Sequence, residues 1–262
     1  MKIYDCFIYN NEELILDLRL NSLNNFVEKF IIVESKETHQ GKKKENFFDR
    51  KKFKNFDHKI EHVFIESFPN ELSNWGRENF QRNYICEGLK NVNDEDLIMI
   101  SDVDEIPNIQ NFKYLEKLKY TAFEQSNYCY KFNLKNKTYP IWYGTKLCKK
   151  KYLKSPQWLR SQKVKEYPFF RFFKIKWNII KNGGWHFSYL MEPHAIKEKI
   201  ESFGHGEFNT REFTDLENIE NKIKNGKDLF NRNQFYEKKI IDDSFPIILN
   251  QEKEKYKKWI LN

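Results

Sequence analysis

Apolar and polar positions alternate in a regular order over the first hundred residues. Residues 2–9 alternate as a half-buried strand does. Asn11 is placed to cap a helix opening at Glu12-Glu13, whose Leu14, Ile15 and Leu18 form an apolar stripe. Residues 30–33, 62–65 and 97–100 read as short buried strands. A helix is expected over about 74–89, with Trp75, Asn79, Arg82 and Cys86 roughly one turn apart. Strands alternating with helices imply an α/β fold with a mainly parallel, twisted central sheet and helices on its faces. Ligands of such sheets bind beyond the carboxyl ends of the strands. That rule singles out Tyr9 and Asn10, Glu34 and Ser35, Glu66, and the run from Ser101.

The second half is less regular. Aromatic-rich, strand-like pieces at 128–134, 169–177 and 185–189 are broken by Pro140, Pro156 and Pro168. Helical patterning returns at about 193–203 and 215–224, and 226–262 reads as a loop followed by a basic helix. No repeat and no Gly/Ser/Pro linker divides the chain, so residues 1–262 form one domain.

Composition narrows the class. Of 262 residues 39% are hydrophobic and 17% aromatic, too many for a disordered chain, and 9 Gly with 7 Pro exclude collagen-like sequence. Cys6, Cys86, Cys129 and Cys148 lie far apart without a C-x-x-C, which fits a reducing compartment. The N-terminus reads as a first strand rather than a signal peptide, and the longest apolar runs fall far below the ~18–20 residues of a membrane span. A cytoplasmic protein is expected. The net charge of +8 leaves polyphosphate, nucleic acid or an anionic membrane as partners. The basic stretch 253–261, ending in Trp259, Ile260 and Leu261, suits either weak peripheral contact with anionic lipid or docking of its apolar end onto the domain.

The chemistry centres on Asp102-Val103-Asp104-Glu105, directly after the apolar run 97–100. A D-x-D string alone is weak; Asp94-Glu95-Asp96, in a polar turn, is another and serves as an internal control. Asp102 and Asp104 differ in leaving a buried strand, where residues i and i+2 point the same way. Two such carboxylates repel unless a cation sits between them, and Mg²⁺ or Mn²⁺ takes oxygen ligands while leaving positions open for phosphate. The alternative is a surface turn whose carboxylates are solvated or cap a helix after Pro107.

Three strings make the resemblance specific: SDVDEIP at 101–107, FIIVES at 30–35 and GGWHFS at 183–188. Together with YDCF at 4–7, YNNE at 9–12, VFIESFP at 63–69, Trp75 to Arg82, GKDLF at 226–230 and FPIIL at 245–249, they resemble glycosyltransferase family 17 in order along nearly the whole chain. The resemblance implies a GT-A-type, Rossmann-like nucleotide-binding fold, a UDP-sugar donor (UDP-GlcNAc), a divalent metal (Mn²⁺ or Mg²⁺) and inversion at the anomeric carbon. Residues 1–107 would then be the nucleotide- and metal-binding half, and 108–262 the acceptor-side half with its C-terminal helix. The acceptor is expected to be a glycan or another hydroxyl, including a lipid-linked one.

Roles follow, each beside its plainer alternative. Asp104 is expected to bind the metal directly, and Asp102 to bind it through water or to hold the ribose. Glu105 either orients them or is a helix-start charge. Glu34 either accepts from uracil or ribose or is a solvated strand-end charge. Tyr9 and Asn10 are nucleotide-side candidates. Arg82 either reaches the diphosphate or pairs with Glu78 one turn earlier. His186, after Gly183-Gly184-Trp185, either completes the metal shell or contacts the β-phosphate, the glycines letting backbone approach a ligand; otherwise it is structural. Trp185, Trp142 and Tyr143 are candidate sugar platforms. Inverting transfer needs a base; Glu207 is the candidate, with Glu192 and Asp228 in competition. The rival readings are another Mg²⁺-dependent nucleotide-using enzyme, such as a nucleotidyltransferase, and a basic nucleic-acid binder using Phe170-Arg171-Phe172-Phe173-Lys174.

Overall fold

The computed structural model describes residues 1–45, 47–109, 115–165 and 175–261. Its strands, in chain order, are β1 (Ile3–Ile8), β2 (Lys29–Ser35), β3 (Ile60–Ile65), β4 (Leu97–Asp102), β5 (Glu105–Pro107), β6 (Tyr120–Phe123), β7 (Gln125–Cys129), β8 (Leu134–Asn136), β9 (Ile141–Trp142), β10 (Lys146–Lys149), β11 (Asn178–Ile180), β12 (Gly184–Ser188) and β13 (Tyr236–Lys238). The helices that position the site are α1 (Glu13–Leu23), α2 (Asn74–Asn83), α3 (Ile85–Gly88), α4 (Pro156–Ser161) and α5 (Pro193–Ile200).

The main sheet runs β11-β6-β10-β4-β1-β2-β3. Its β4-β1-β2-β3 portion is parallel throughout, as the strand–helix alternation predicts. β10 is antiparallel to both β4 and β6. The central strands are covered on both faces: Leu16, Leu18 and Leu20 of α1 pack with Phe30, Ile32 and Met99, while Ile85 and Leu89 pack with Ile31, Val33 and Ile98. Burial on both faces is why 30–33 and 97–100 are continuous apolar runs.

A second sheet, β13-β8-β7-β12-β5 with β9 on β7, meets the first at residues 102–105. There the chain leaves β4 and enters β5, which pairs antiparallel with β12 so that His186 lies opposite Glu105. This register corrects one expectation. Glu105 does not open a helix; it begins a strand and is fully buried.

Other departures have local causes. Asn11 does not cap α1: it takes left-handed backbone (φ 64°), and Glu12 stands at the helix start. The helix expected over 74–89 breaks at Tyr84, and its second piece brings Gly88 so close to β2 that a Cβ would lie 2.5 Å from Ile31 Cγ2. The strand expected over 128–134 is interrupted by Tyr130, whose φ is 63°. The basic tail forms short pieces rather than one helix. Its Tyr256 is wholly buried, and Trp259 and Ile260 pack against the core. No helix among the described residues is long and apolar enough to cross a membrane. Phe170 to Lys174 lie outside the described residues.

Candidate active site

A cleft of about 450 Å³ opens at the carboxyl ends of β1 and β4. Tyr9, Asn10 and Glu12 line it from the end of β1, and Asp102 to Glu105 from the turn after β4. Trp75, Glu78, Gln81 and Arg82 enter from α2, Arg160 from α4, His186 from β12, Lys199 from α5 and His205 from the loop beyond. This is the strand-end position at which the parallel-sheet rule expects a ligand site.

The turn is held from beneath. Arg19 of α1, wholly buried, donates through Nη1 to the carbonyls of Asp102, Val103 and Glu105 at 3.1, 3.2 and 2.8 Å. Asp5 of β1 neutralises it in a bidentate pair. A guanidinium offers several fixed donors in one plane, so one side chain serves three carbonyls of the turn, that of Glu105 together with the Thr145 hydroxyl.

Above the turn, charges alternate. Asp102 accepts from Arg82 Nη2 at 3.1 Å on one oxygen and from Arg160 Nη2 at 2.7 Å on the other. The same Arg160 nitrogen donates to Glu105 at 2.7 Å. Arg82 also donates to Glu78 at 2.9 Å, the helical pairing expected, and to Gln157. Burial pushes the Asp102 carboxyl up, but Arg160 and then Arg82 overcome it and hold the group well below its usual range. Glu105 moves the other way, raised chiefly by burial. Its Oε2 accepts the Asp102 N–H at 2.9 Å and its Oε1 the Trp142 indole N–H at 2.6 Å, so it does orient the turn. Gly144 makes room for it, since a Cβ there would lie 2.1 Å from the Glu105 carboxyl carbon. Nε of both Arg82 and Arg160 is buried without a partner among the described residues.

Asp104 faces a different set. His186 Nε2 lies 3.7 Å from one of its oxygens and Lys199 Nζ 3.6 Å from the other. Strand register brings them together, for the Phe187 N–H donates to the Asp104 carbonyl. Lys199 also pairs with Glu12 at 2.9 Å. Burial pushes the Lys199 ammonium down, but Glu12 and Asp104 raise it well above its usual range. Trp142 stacks on the His186 ring, centroids 4.8 Å apart, and His186 Nδ1 is buried without a partner among the described residues.

The structure thus brings together Tyr9, Asn10, Arg82, Asp102, Asp104 and His186. It does not bring Glu34 there. Glu34 is wholly buried, neither solvated nor in the cleft, and binds Lys44 at 2.8 Å, the Phe48 N–H at 3.0 Å and His62 at 3.1 Å. Glu207 does not line the cleft either; it is exposed and holds His205 Nδ1 at 2.6 Å. Glu192 pairs with Lys258, and Asp228 with Arg232, both outside the cleft. Trp185 turns to the opposite face of β12, where its indole binds the Ser244 carbonyl, and Tyr143 binds Glu124. Gly184 serves close packing of backbone on backbone rather than on a ligand: a Cβ there would lie 2.1 Å from the Ile106 carbonyl oxygen. The control pair behaves differently as well. Asp96 is buried and accepts the Lys2 N–H at 2.8 Å, so it fastens the start of β1.

Sequence reasoning missed Arg160, Lys199, His39 and the support from Arg19. Arg160 and Lys199 sit on short helices; the Ser155-Pro156 start marks the first, and the patterning over 193–203 marks the second without showing which of its residues enters the cleft. His39 is partly buried against Gln81 at 2.7 Å, and desolvation lowers its pKa.

Comparison with known proteins now bears on this geometry. The sequence model of Glycosyltransferase family 17 matches residues 1–242. The chain belongs to that family. Curated relatives of this family 17 chain include the beta-1,4-mannosyl-glycoprotein 4-beta-N-acetylglucosaminyltransferases of Rattus norvegicus and Homo sapiens, each 24% identical over 234 residues. The match covers 79% of this chain but 44% of each relative, so the family 17 chain spans under half of their length. A solved structure, a glycosyltransferase involved in the glycosylation of the major capsid of PBCV-1, aligns with a TM-score of 0.34 and 13% identity over 69% of this chain and 82% of that one.

Proposed function

We propose that the chain is an inverting glycosyltransferase that moves N-acetylglucosamine from UDP-GlcNAc to a hydroxyl acceptor with the help of Mn²⁺ or Mg²⁺. The observation that carries the reading is the cleft itself: the Asp102/Asp104 pair at a parallel-strand end, faced by Arg82 and Arg160, in a chain of this family. The donor sugar rests on the curated relatives, whose names specify N-acetylglucosamine.

The donor set fits a hard cation of limited protein ligation. Among the described residues no three His, Cys, Asp or Glu side chains converge as a complete metal cage. Asp102 is engaged by two arginines, which leaves Asp104 and His186 as the donors. Cations that bind diphosphates commonly take one or two protein ligands and fill the shell with phosphate oxygens and water. Charge points the same way: Glu12, Glu78, Asp102, Asp104 and Glu105 line the cleft against Arg82, Arg160 and Lys199. An anionic diphosphate entering that excess of carboxylates is opposed unless a cation accompanies it. The bound cation would supply neutralisation of the charge that develops on the diphosphate as the nucleotide leaves.

The chain's own residues do the rest. Arg82 and Arg160 bring two guanidinium charges to the cleft wall, where Asp102 fixes their planes, and that positive pair suits an anion. Tyr9, packed edge-on against Phe48, and Asn10, tied to Ser202 at 2.9 Å, form the floor at the end of β1. Incubation with UDP-GlcNAc and a panel of saccharides, with Mn²⁺ or with EDTA, tests the proposal by mass spectrometry. Transfer that appears with Mn²⁺ and vanishes with EDTA is expected. Absence of both transfer and UDP release, in protein that binds no UDP, overturns it.

A further inference from the structure

Hydrogen bonding sorts the five cleft carboxylates. Asp102 has both oxygens held by Arg82 and Arg160, Glu105 by the Asp102 N–H, Trp142 and Arg160, and Glu12 by Lys199 and the Asn10 N–H. Asp104 lies between His186 and Lys199. Among the described residues Asp104 accepts no hydrogen bond, each of its oxygens facing a basic side chain on the side proposed for the cation; of the four carboxylates that are held by hydrogen bonds, Glu78 keeps one oxygen open. Its Oε1 accepts from Arg82 at 2.9 Å, whereas Oε2 accepts no hydrogen bond among the described residues and stands 3.9 Å from His39 Nδ1. Arg82 thus aims the carboxylate without occupying its second oxygen.

Trp75 stands three residues before Glu78 on α2, hence on the same face. It lines the cleft, yet 45% of it is exposed, and its ring meets His205 edge-on at 4.5 Å. The loop carrying His205 closes tightly on this pair: a Cβ at Gly204 would lie 2.7 Å from Glu78 Oε2 and 3.3 Å from Trp75 Cε3. A half-exposed indole beside a carboxylate oxygen is a surface with an apolar plane and a polar edge. A sugar ring has the same division, C–H groups on its flat face and hydroxyls at its rim.

We infer that Trp75 and Glu78 form the acceptor subsite, the indole seating a saccharide ring and Glu78 Oε2 taking the proton of its attacking hydroxyl. The inference rests on the transferase reading above. In the step, the acceptor O–H bond breaks and its proton passes to Oε2. The oxygen's electron pair forms the new bond to the anomeric carbon, and that carbon's bond to the diphosphate oxygen breaks with its pair leaving on UDP. Protonated Glu78 returns its proton to solvent after the product departs.

The test compares wild type, Glu78→Gln, Trp75→Ala and Trp75→Phe. Transfer from UDP-GlcNAc is followed to the methyl glycosides of mannose, glucose, galactose and N-acetylglucosamine, and UDP affinity is measured by calorimetry. Glu78→Gln is expected to lower kcat by roughly 10²-fold or more, with UDP affinity within about threefold. Trp75→Ala is expected to raise the acceptor KM roughly tenfold while kcat and UDP affinity hold, and Trp75→Phe to recover most of the loss. Should Glu78→Gln fail to fold, Glu78→Asp serves instead, since it keeps the charge but withdraws the oxygen; a kcat loss of roughly tenfold or more is expected. Wild-type kcat in a folded Glu78 variant, or a Trp75→Ala defect confined to UDP binding, overturns the inference and leaves the transferase reading standing. Transfer to glycerol or a serine peptide but to none of the four sugars overturns the saccharide subsite in the same way. A wild-type protein that neither binds nor hydrolyses UDP-GlcNAc overturns both.

Discussion

Arg19 and Asp5 form a bidentate ion pair at 2.7 and 2.6 Å with neither side chain exposed. The pair lies under the turn that carries Asp102 and Asp104, and Arg19 donates further to that turn's carbonyls and to the Ser101 hydroxyl. Arg19→Met would leave a buried carboxylate unpaired and take a donor from three carbonyls, of which that of Glu105 keeps the Thr145 hydroxyl. A loss of about 3–5 kcal/mol in unfolding free energy is expected, as for removal of one member of a buried pair. Arg19→Met with Asp5→Leu should be more stable than Arg19→Met alone, because the orphaned charge is gone. Urea unfolding of the three proteins decides the matter; a single variant within about 1 kcal/mol of wild type would show that the pair does not carry the turn.

The two D-x-D strings give opposite expectations. Asp104→Asn removes the charge that faces His186 and Lys199, and transfer should fall roughly 10²-fold or more. Asp102→Asn should cost less, because its role runs through Arg82 and Arg160 rather than through a cation. Asp96→Asn, at a backbone cap far from the cleft, should leave transfer near wild type and lower stability by roughly 1 kcal/mol. Rates and melting curves on the three variants are the measurement. Full Mn²⁺-dependent transfer by folded Asp104→Asn would move the metal elsewhere.

Linkage between nucleotide and cation gives a test that needs no acceptor. If the cation sits between Asp104 and a diphosphate, each ligand strengthens the other, and UDP with Mn²⁺ should raise the melting temperature by more than the sum of the separate shifts. Asp104→Asn should abolish the excess while sparing the shift from UDP alone. Strictly additive shifts in the wild type would remove the bridge.

What the sequence disclosed and what it concealed separate along one physical line. β2 and β4 are buried almost throughout and β1 and β3 are short apolar runs beside them, so their places and the strand-end candidates Tyr9, Asn10, Asp102 and Asp104 are readable from pattern alone. Arg82 was readable because its Glu78 partner is one helical turn away. Glu34 was misjudged because its partners Lys44 and His62 come from a loop and a neighbouring strand, which spacing does not reveal. Arg160 and Lys199 reach the cleft from short helices, α4 packed on α2 and β4, which are distant in sequence, and α5 on later helices, and Glu207 lies outside the cleft while its neighbour His205 is the residue at the rim. Local periodicity carries strands and helix faces; it carries no signal for contacts made across two sheets.

The pH dependence of stability should expose a lysine that supports the site from behind. Lys146 of β10 is buried and donates to the carbonyls of Arg160 and Gln162, next to the Arg160 that holds Asp102 and Glu105. Burial, and then the nearby Arg160 charge, push its ammonium down to about 7. The unfolded chain keeps an ordinary lysine, so between about pH 7 and 10 the unfolded state binds more protons than the folded one. Stability from this residue therefore rises with pH across that window, by at most about 1.4 kcal/mol per pH unit. Below about pH 7 both states are protonated, and the cost of burying the charge is present in full. Lys146→Met keeps the length, discards the charge and removes the window. Its stability relative to wild type should fall as pH rises from about 7 towards 10, because over that window the wild type sheds the cost of the buried charge and the variant has none to shed. Urea midpoints of the two proteins at pH 6, 7, 8, 9 and 10 give the comparison, with all other titrating groups held in common. A difference that stays constant across the series would mean that Lys146 keeps its proton in the folded chain, its two carbonyl partners sufficing to hold the charge.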